Sequence, residues 1–316
     1  MKEINSGAGK PGFARRELTW WRLRSRTLEL GAKTLVMGVV NITPDSFSDG
    51  GLYLDPARAV DHALRLLEEG AAILDLGAES TRPGSHAGDP AGAAVSADEE
   101  QARLLPVIEG VLKVRPETVI SADTYKAATA RAAVVAGAEI INDVSGFTWD
   151  AAMVAACVEM CCGVVVMHTR GIPDAWKTQT PLTPEAVLPL VRDELGANLA
   201  VALQAGIAEE AVVLDPGYGF GKRFDENYAL LARQGELLAL GRPLLAGLSQ
   251  KSFLGRTLAG LREGDVSPES RERASIAALT AAILNGASIV RVHSVRAAVE
   301  AAAIADAVLL AWRSDR

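Results

Sequence analysis

Short apolar runs alternate with amphipathic segments along most of this chain. Eight such runs are rich in Val, Ile and Leu and mostly lack a regular apolar–polar alternation, which is typical of strands buried on both faces. They lie at 35–40, 72–76, 119–123, 139–144, 163–168, 212–215, 244–248 and 288–293. Each run is followed by a polar or glycine-rich turn and then by a segment with helical periodicity. The pattern therefore predicts eight successive strand–helix units.

Eight strand–helix units in one stretch of chain predict an α/β fold, the single-domain (β/α)₈ barrel. A doubly wound open sheet is the alternative, but no GxGxxG sequence opens a helix after the first apolar run. No linker separates two domains. We therefore predict an N-terminal extension over 1–33, in which the partial alternation of 20–30 indicates a short hairpin, and a barrel domain over 34–316.

Acidic and amide side chains end several of the predicted strands. In a (β/α)₈ barrel the carboxyl ends of the strands form the active site, and Asp75, Asp123, Asn142 and Asp215 all lie there. Any one of these carboxylates could equally be a structural hydrogen-bond partner. Together they suit a flat heterocycle with several N–H donors, because buried carboxylates are costly unless they are paired. Lys251 can donate to acceptor atoms of the same ring.

A second set of residues at the strand ends is basic. Arg291 and His293 are two positions apart on one strand, so that their side chains point to the same face. A single arginine there would more often be a salt-bridge partner. With Lys251 and Arg82 nearby, the pair instead predicts a phosphate or diphosphate site. Asn41 could add one oxygen ligand to a Mg²⁺ that otherwise holds water and diphosphate oxygens.

Because the overall charge is negative, any anion that the protein binds must be held by a local cationic site. Lys and Arg number 32 and Asp and Glu number 39, for a net charge of −7. This balance argues against nucleic-acid partners and an anionic membrane surface. We expect no transmembrane helix, since no apolar run is long enough, and no signal peptide. The three cysteines are too clustered for a disulfide framework and predict a reducing cytoplasm, with core packing as their role.

Two long loops rich in Gly, Ser and Pro, 41–51 and 77–95, are expected to close over the site. For 85–95 alone, an ordinary surface loop is the favoured interpretation. His168, at the end of the fifth run, leaves two readings open, a role in the site or a satisfied histidine at a strand end.

Four motifs in this order resemble dihydropteroate synthase of folate biosynthesis. They are NITPDSFSDGG at 41–51, ESTRPG at 79–84, DPGYGFGK at 215–222 and RVH at 291–293. The resemblance extends from about Leu35 to about Val308 and implies a (β/α)₈ barrel. It also implies a transferase that condenses 6-hydroxymethyl-7,8-dihydropterin diphosphate with 4-aminobenzoate, is usually a homodimer and is the sulfonamide target.

The resemblance further implies which residues bind each part of the substrates. The pterin would be held by Asp123, Asn142, Asp215 and Lys251, with Met167 under the ring. The diphosphate would be held by Thr81, Arg291, His293 and, through Mg²⁺, Asn41. The aminobenzoate would be surrounded by Phe47, Arg82, Pro83, Phe220 and Ser252. The catalytic residues among these would be Asp123, Lys251, Arg291 and His293.

The chain departs from the family pattern at a few positions. Gln250 stands where an arginine is usual, Thr169 where methionine is common, and Tyr218 where phenylalanine is frequent. Two alternatives share the barrel and the pterin pocket. A pterin-dependent methyltransferase has no need of a diphosphate site, and a non-catalytic pterin-binding paralogue would be expected to lack at least one of Asn41, Asp123, Lys251 or Arg291.

Overall fold

A computed structural model describes residues 12–43, 56–82, 84–89, 94–261 and 266–314. Within these residues, eight parallel strands close into a barrel in which consecutive strands are neighbours and the last pairs with the first. The barrel strands are β3 (Leu35–Asn41), β4 (Ile73–Gly77), β5 (Ile120–Asp123), β6 (Ile140–Asp143), β7 (Gly163–Met167), β8 (Val212–Asp215), β9 (Leu244–Ala246) and β10 (Ala287–Val292). The predicted (β/α)₈ barrel is confirmed.

Each barrel strand is followed by one or two helices. They are α1 (Pro56–Glu68), α2 (Ala97–Val114), α3 (Ala127–Val135), α4 (Met153–Met160), α5 (Pro184–Gln204), α6 (Phe224–Arg233), α7 (Ser252–Ala259), α8 (Pro268–Leu284) and α9 (Val295–Ser314). Several have start signals in the sequence. Pro184 and Pro268 occupy first helical positions, where no backbone N–H is needed. The Ser96 hydroxyl caps α2 by accepting from the Glu99 N–H at 3.2 Å.

An antiparallel hairpin precedes the barrel, formed by β1 (Thr19–Arg22) and β2 (Thr27–Leu30). Trp21, Leu23 and Leu30 are buried and form one apolar cluster with barrel residues such as Met37. The Trp21 indole also donates to the Ala211 carbonyl oxygen at 2.9 Å, just before β8 begins. The hairpin thus covers the amino-terminal end of the barrel, and the carboxyl ends of the strands are left for a site.

The closing strand pair sets the geometry of that site. β10 pairs with β3, and Arg291 lies opposite Met37 in the register. β3 in turn pairs with β4, where Val39 is opposite Asp75. The last strand therefore brings Arg291 close to the carboxylates of the first half of the chain. No helix in the described part of the chain is long and apolar enough to cross a membrane.

Candidate active site

Arg291 joins two carboxylates in the mouth of the barrel. Its Nε donates to Asp75 Oδ2 at 2.5 Å and its Nη2 donates to Asp123 Oδ2 at 2.6 Å. Asn142 donates its side-chain N–H to the same Asp75 oxygen at 3.1 Å. Asp75 is fully buried, and its Oδ1 has no hydrogen-bond partner among the described residues. A guanidinium between two acids is the arrangement that allows both to be buried.

Burial acts strongly on Asp123. Loss of water raises the pKa of this carboxyl to about 7; the Arg291 guanidinium opposes the rise and the Asp75 charge adds to it. Asp123 therefore changes its charge near neutral pH. A carboxyl with such a pKa at a strand end is a candidate for a functional group.

Asp215 and Lys251 form a second acid–base set on the same mouth. Burial raises the pKa of Asp215, although the Gly217 N–H donates to its Oδ1 at 2.7 Å and the Lys251 charge opposes the rise. Burial lowers the pKa of Lys251 to about 8; Arg291 acts in the same direction, and Asp215 and Asp123 oppose it. These mutual effects mean that both sets of charges share one site.

Aromatic and thioether side chains line the floor beside Lys251. Its Nζ lies 4.1 Å from the centroid of the Phe220 ring, a cation–π distance. Phe220 meets Trp176 edge to face, with centroids 4.9 Å apart. Met167, at the end of β7, is buried in an apolar cluster against which Phe220 packs. The floor can take one flat face of a ring while the acids and amide meet its edge.

The loop after β8 needs its glycines to reach this shape. Gly217 has φ +67°, and a Cβ there would lie 1.9 Å from the His168 carbonyl oxygen. Gly219 has φ +82°, and its Cβ would lie 3.2 Å from the Lys251 side chain. Only glycine allows this close approach at positive φ. The loop thereby presents Phe220 and leaves room for Lys251.

His293 is held as a neutral group. Its Nδ1 lies 2.9 Å from Ser249 Oγ, and its backbone N–H donates to the same hydroxyl at 3.3 Å. Burial lowers the pKa of His293 to about 4, and the positive charges of Arg291 and Lys251 lower it further. The sequence grouped His293 with the cations; its lowered pKa makes it a neutral hydrogen-bonding group beside Arg291 and Lys251. Ser249 was not singled out as its partner, because nothing in the spacing marks that contact.

Asn41 and His293 share the wall of a cavity of about 570 Å³. The helix α1 contributes Arg58, His62 and Arg65 to the same wall. None of these three was among the site residues expected from the sequence, since the path of α1 past the end of β10 cannot be seen in its periodicity. This cavity adds positive charge beside the two residues expected at a diphosphate.

Ser252 begins α7 and lies on a neighbouring cavity of about 670 Å³. Trp176, Gly219 and Lys222 line the same space. Backbone N–H groups at the start of a helix are unpaired and favour an anion. The cavity therefore offers a carboxylate a place next to the aromatic floor.

Other expected site residues lie at the edge of the mouth or outside the described structure. Thr81 is half-buried and Arg82 exposed, and the Arg82 charge still lowers the pKa of His293. Phe47 and Pro83 fall outside the described residues, as does most of the 41–51 loop. Gln250 has φ 58° and donates its backbone N–H to Ser275 Oγ at 2.9 Å.

The contacts of His168 favour the interpretation of a hydrogen-bonded histidine at a strand end over a role in the site. Its Nε2 lies 2.8 Å from Glu194 Oε2 on α5, on the outer side of the barrel strands. Burial lowers the pKa of His168 to about 4, with the Lys222 charge adding to the effect. A neutral ring bound to a helix carboxylate fastens α5 to the end of β7.

Comparison with known proteins extends over most of this fold. The model of the family described as pterin binding enzyme matches residues 37–293. Dihydropteroate synthase of Bacillus subtilis (strain 168) is 40% identical over 277 residues, which cover 88% of this chain and 89% of that protein. The solved structure of Xanthomonas albilineans dihydropteroate synthase with 4-aminobenzoic acid has a TM-score of 0.80 at 40% identity, covering 93% of this chain and 99% of that chain. A second structure of that enzyme, in complex with 7,8-dihydropteroate, has a TM-score of 0.76 at 37% identity, covering 95% and 99%.

Proposed function

This chain belongs to the pterin-binding enzyme family, and from that premise we propose that it is a dihydropteroate synthase. It condenses 6-hydroxymethyl-7,8-dihydropterin diphosphate with 4-aminobenzoate to give 7,8-dihydropteroate and diphosphate. The observation that carries the proposal is the single barrel mouth in which Arg291 is bonded to Asp75 and Asp123. A methyltransferase or a non-catalytic paralogue is not favoured, because the relatives described above are dihydropteroate synthases.

Ring recognition comes first in the proposed mechanism. The Asp215 carboxylate accepts hydrogen bonds from the edge of the pterin, and the Asn142 side-chain amide donates to that edge. Lys251 donates to the acceptor atoms of the ring. The ring lies over Met167 and beside Phe220, which keep water from one face. The Asp215 carboxylate then gains N–H donors beyond the Gly217 N–H, which favours binding of a donor-rich heterocycle.

Departure of diphosphate is the proposed difficult step. The C–O bond to the pterin methylene breaks, and its electron pair leaves with the diphosphate. Arg291, Thr81 and neutral His293 donate hydrogen bonds to the leaving group. The methylene cation is conjugated with the ring, and the Asp123 carboxylate stabilises its positive charge. One preorganised group of this kind contributes about 3–4 kcal/mol.

The aniline nitrogen of 4-aminobenzoate then forms the new C–N bond. Its lone pair is free, so no side chain has to remove a proton before attack; the surplus proton leaves to water afterwards. The benzoate carboxylate lies at the start of α7, near Ser252, where the backbone N–H groups of the first helical turn and the helix dipole favour an anion. Arg82 and Phe220 enclose the ring.

We also propose Mg²⁺ as a companion of the diphosphate. Asn41 supplies one amide oxygen, and Asp61 lines the same cavity. In the described parts of the chain no group of three or more His, Cys, Asp or Glu side chains could hold a metal. This donor set fits a Mg²⁺ that arrives on diphosphate oxygens and keeps several waters. When bound, the ion neutralises charge on the leaving group.

Two further proposals concern the assembly and its location. We propose a homodimer through the outer face of α9, where Ile304 is 68% exposed and Val308, one turn further on, is 40% exposed. The variant I304E/V308E should give the monomer mass in light scattering, and V135E, at an exposed valine on α3, should not. A cytoplasmic location is proposed on the free thiols of the three cysteines and is checked by cell fractionation.

Product formation is the direct test of the activity. Purified protein with Mg²⁺ and both substrates should form dihydropteroate and release one diphosphate per product, followed by chromatography and a diphosphate assay. Asp123→Asn should bind the pterin yet form product far more slowly. Tight pterin binding with no dihydropteroate from the wild-type protein would identify a non-catalytic paralogue.

A further inference from the structure

A buried ion cluster lies directly after the strand that bears Asp123. Lys126 Nζ contacts Glu79 Oε2 and lies 3.3 Å from Glu100 Oε2. The three side chains are 12%, 6% and 1% exposed, in the order Lys126, Glu79 and Glu100. Removing charged side chains from water costs free energy unless their mutual contacts and hydrogen bonds compensate for it.

Glu100 alone would balance the charge of Lys126. Its carboxylate accepts from the hydroxyls of Thr124 at 3.1 Å and Thr129 at 2.7 Å, which fixes it between α2 and α3. The second carboxylate, Glu79, is therefore not needed to neutralise the lysine. Its presence calls for a different explanation.

Glu79 belongs to the loop after β4, residues 77–95, which we call loop 2. Its Oε2 contacts Lys126, and its Oε1 accepts from the Val95 N–H at 3.1 Å. The same side chain thus ties the beginning and the end of loop 2 to the segment after β5. Thr81 and Arg82 follow two and three residues after Glu79.

The middle of loop 2 is fastened to the same segment. The Gly88 N–H donates to the Tyr125 hydroxyl oxygen at 2.9 Å. Gly88 has φ +72°, and a Cβ there would lie 2.8 Å from the Trp149 ring, which itself meets Tyr125 edge to face. The Lys126 Nζ lies 4.2 Å from the centroid of the Tyr125 ring. Residues 125 and 126 therefore hold loop 2 at two points, Gly88 and Glu79.

We infer that Glu79 and Lys126 are positioning residues, which hold Thr81 in place to bind the diphosphate end of the substrate and Arg82 in place beside the aminobenzoate. They touch neither substrate. They couple the strand that carries Asp123, at the pterin, to the loop that meets the leaving group. This inference rests on the proposed function and deepens it, since it assigns a role in the same site to residues outside the pocket.

Substitutions at Glu79 separate this role from folding. Glu79→Gln removes the charge facing Lys126 but keeps an oxygen for the Val95 N–H, whereas Glu79→Ala removes both. In either variant Lys126 still has Glu100, so we expect both proteins to fold. Lys126→Met is the less suitable variant, because it leaves two buried carboxylates without their cation. Glu159→Gln is the matched control, since Glu159 makes an exposed ion pair with Arg131 at 2.8 Å.

The readouts are ligand affinity, steady-state kinetics and amide exchange. For both Glu79 variants the Kd and KM of the pterin diphosphate should rise about tenfold, which corresponds to the loss of one charge-assisted hydrogen bond. The Kd of the pterin without diphosphate should change less than about twofold. In Glu79→Ala the Val95 amide should exchange faster than in the wild type. Glu159→Gln should match the wild type in all three.

Two outcomes would overturn the inference. One is an unchanged Kd for the pterin diphosphate in Glu79→Ala; the other is an equal loss of affinity for both ligands, which indicates general damage to the pocket. Failure of the proposed function looks different. The wild-type protein would then bind the ligands without forming product, while the Val95 exchange and the two Kd values would still decide whether Glu79 holds loop 2.

Discussion

Replacing Arg291 by methionine tests the electrostatic centre of the site. Methionine keeps much of the volume but removes both hydrogen bonds, from Nε to Asp75 at 2.5 Å and from Nη2 to Asp123 at 2.6 Å. Asp75 is fully buried and the Asp123 side chain is 14% exposed, so water cannot replace the lost partner well. The variant therefore leaves two adjacent buried carboxylates.

Breaking a buried ion pair on one side costs about 3–5 kcal/mol. For a chain of 316 residues, with an unfolding entropy of about 2.1 cal/mol/K per residue, that predicts a fall in Tm of about 5–8 °C. The penalty depends on pH. Arg291 holds the pKa of Asp123 below the value that burial alone would give it, so the variant has a still higher pKa than about 7. A carboxyl whose pKa is raised in the folded state lowers the stability of the protein as the pH rises toward that pKa. The stability lost in Arg291→Met should therefore be larger at pH 8.5 than at pH 6.

Thermal unfolding across pH and titration with two ligands measure these effects. Arg291→Met should lose affinity for the pterin diphosphate far more than for the bare pterin. Adding Asp123→Asn to Arg291→Met should restore part of the lost Tm, because it removes one of the stranded charges. The reasoning is refuted if Arg291→Met unfolds at the wild-type Tm at pH 8.5, or if both ligands lose affinity equally.

Three other predictions follow from single contacts. Lys251→Met should weaken the bare pterin and its diphosphate alike, and an unchanged Kd for the pterin would exclude Lys251 from the pocket. The kcat/KM should fall as pH drops through about 7, because protonation removes the Asp123 charge; Asp123→Asn should lack this limb, and a limb that persists in it would assign the pKa elsewhere. Gly217→Ala should lower Tm sharply in calorimetry, since its Cβ would lie 1.9 Å from the His168 carbonyl oxygen, and a wild-type Tm would contradict the stated φ.

The fold was readable from the sequence because parallel strands covered on both faces leave uninterrupted apolar runs. The run at 212–215 is the strand β8 itself. The run at 244–248 is longer than β9, which ends at Ala246, because Leu248 is also buried but lies in the following turn. The apolar pattern reports burial, and burial continues beyond the last hydrogen bond between β9 and its neighbouring strands.

The site was only partly readable. The barrel rule placed the polar strand ends together, but the pairing of Arg291 with Asp75 joins positions 216 residues apart and exists only when β10 meets β3. The neutral state of His293 depends on burial and on two neighbouring cations, which no spacing reveals. The Glu79–Lys126 contact could not be predicted either, because it joins two connecting segments rather than two strands.

Charge balance explains why so many acids can share one mouth. Asp75, Asp123 and Asp215 face Arg291 and Lys251, and the Lys222 charge also acts on Asp215. Protonation of Asp123 makes this set of charges one unit more positive. Because the pKa of Asp123 is about 7, a positive ligand charge can take the place of that proton near neutral pH. A pterin cation formed as diphosphate departs is such a charge, and it would hold Asp123 ionised at the moment when its carboxylate is needed.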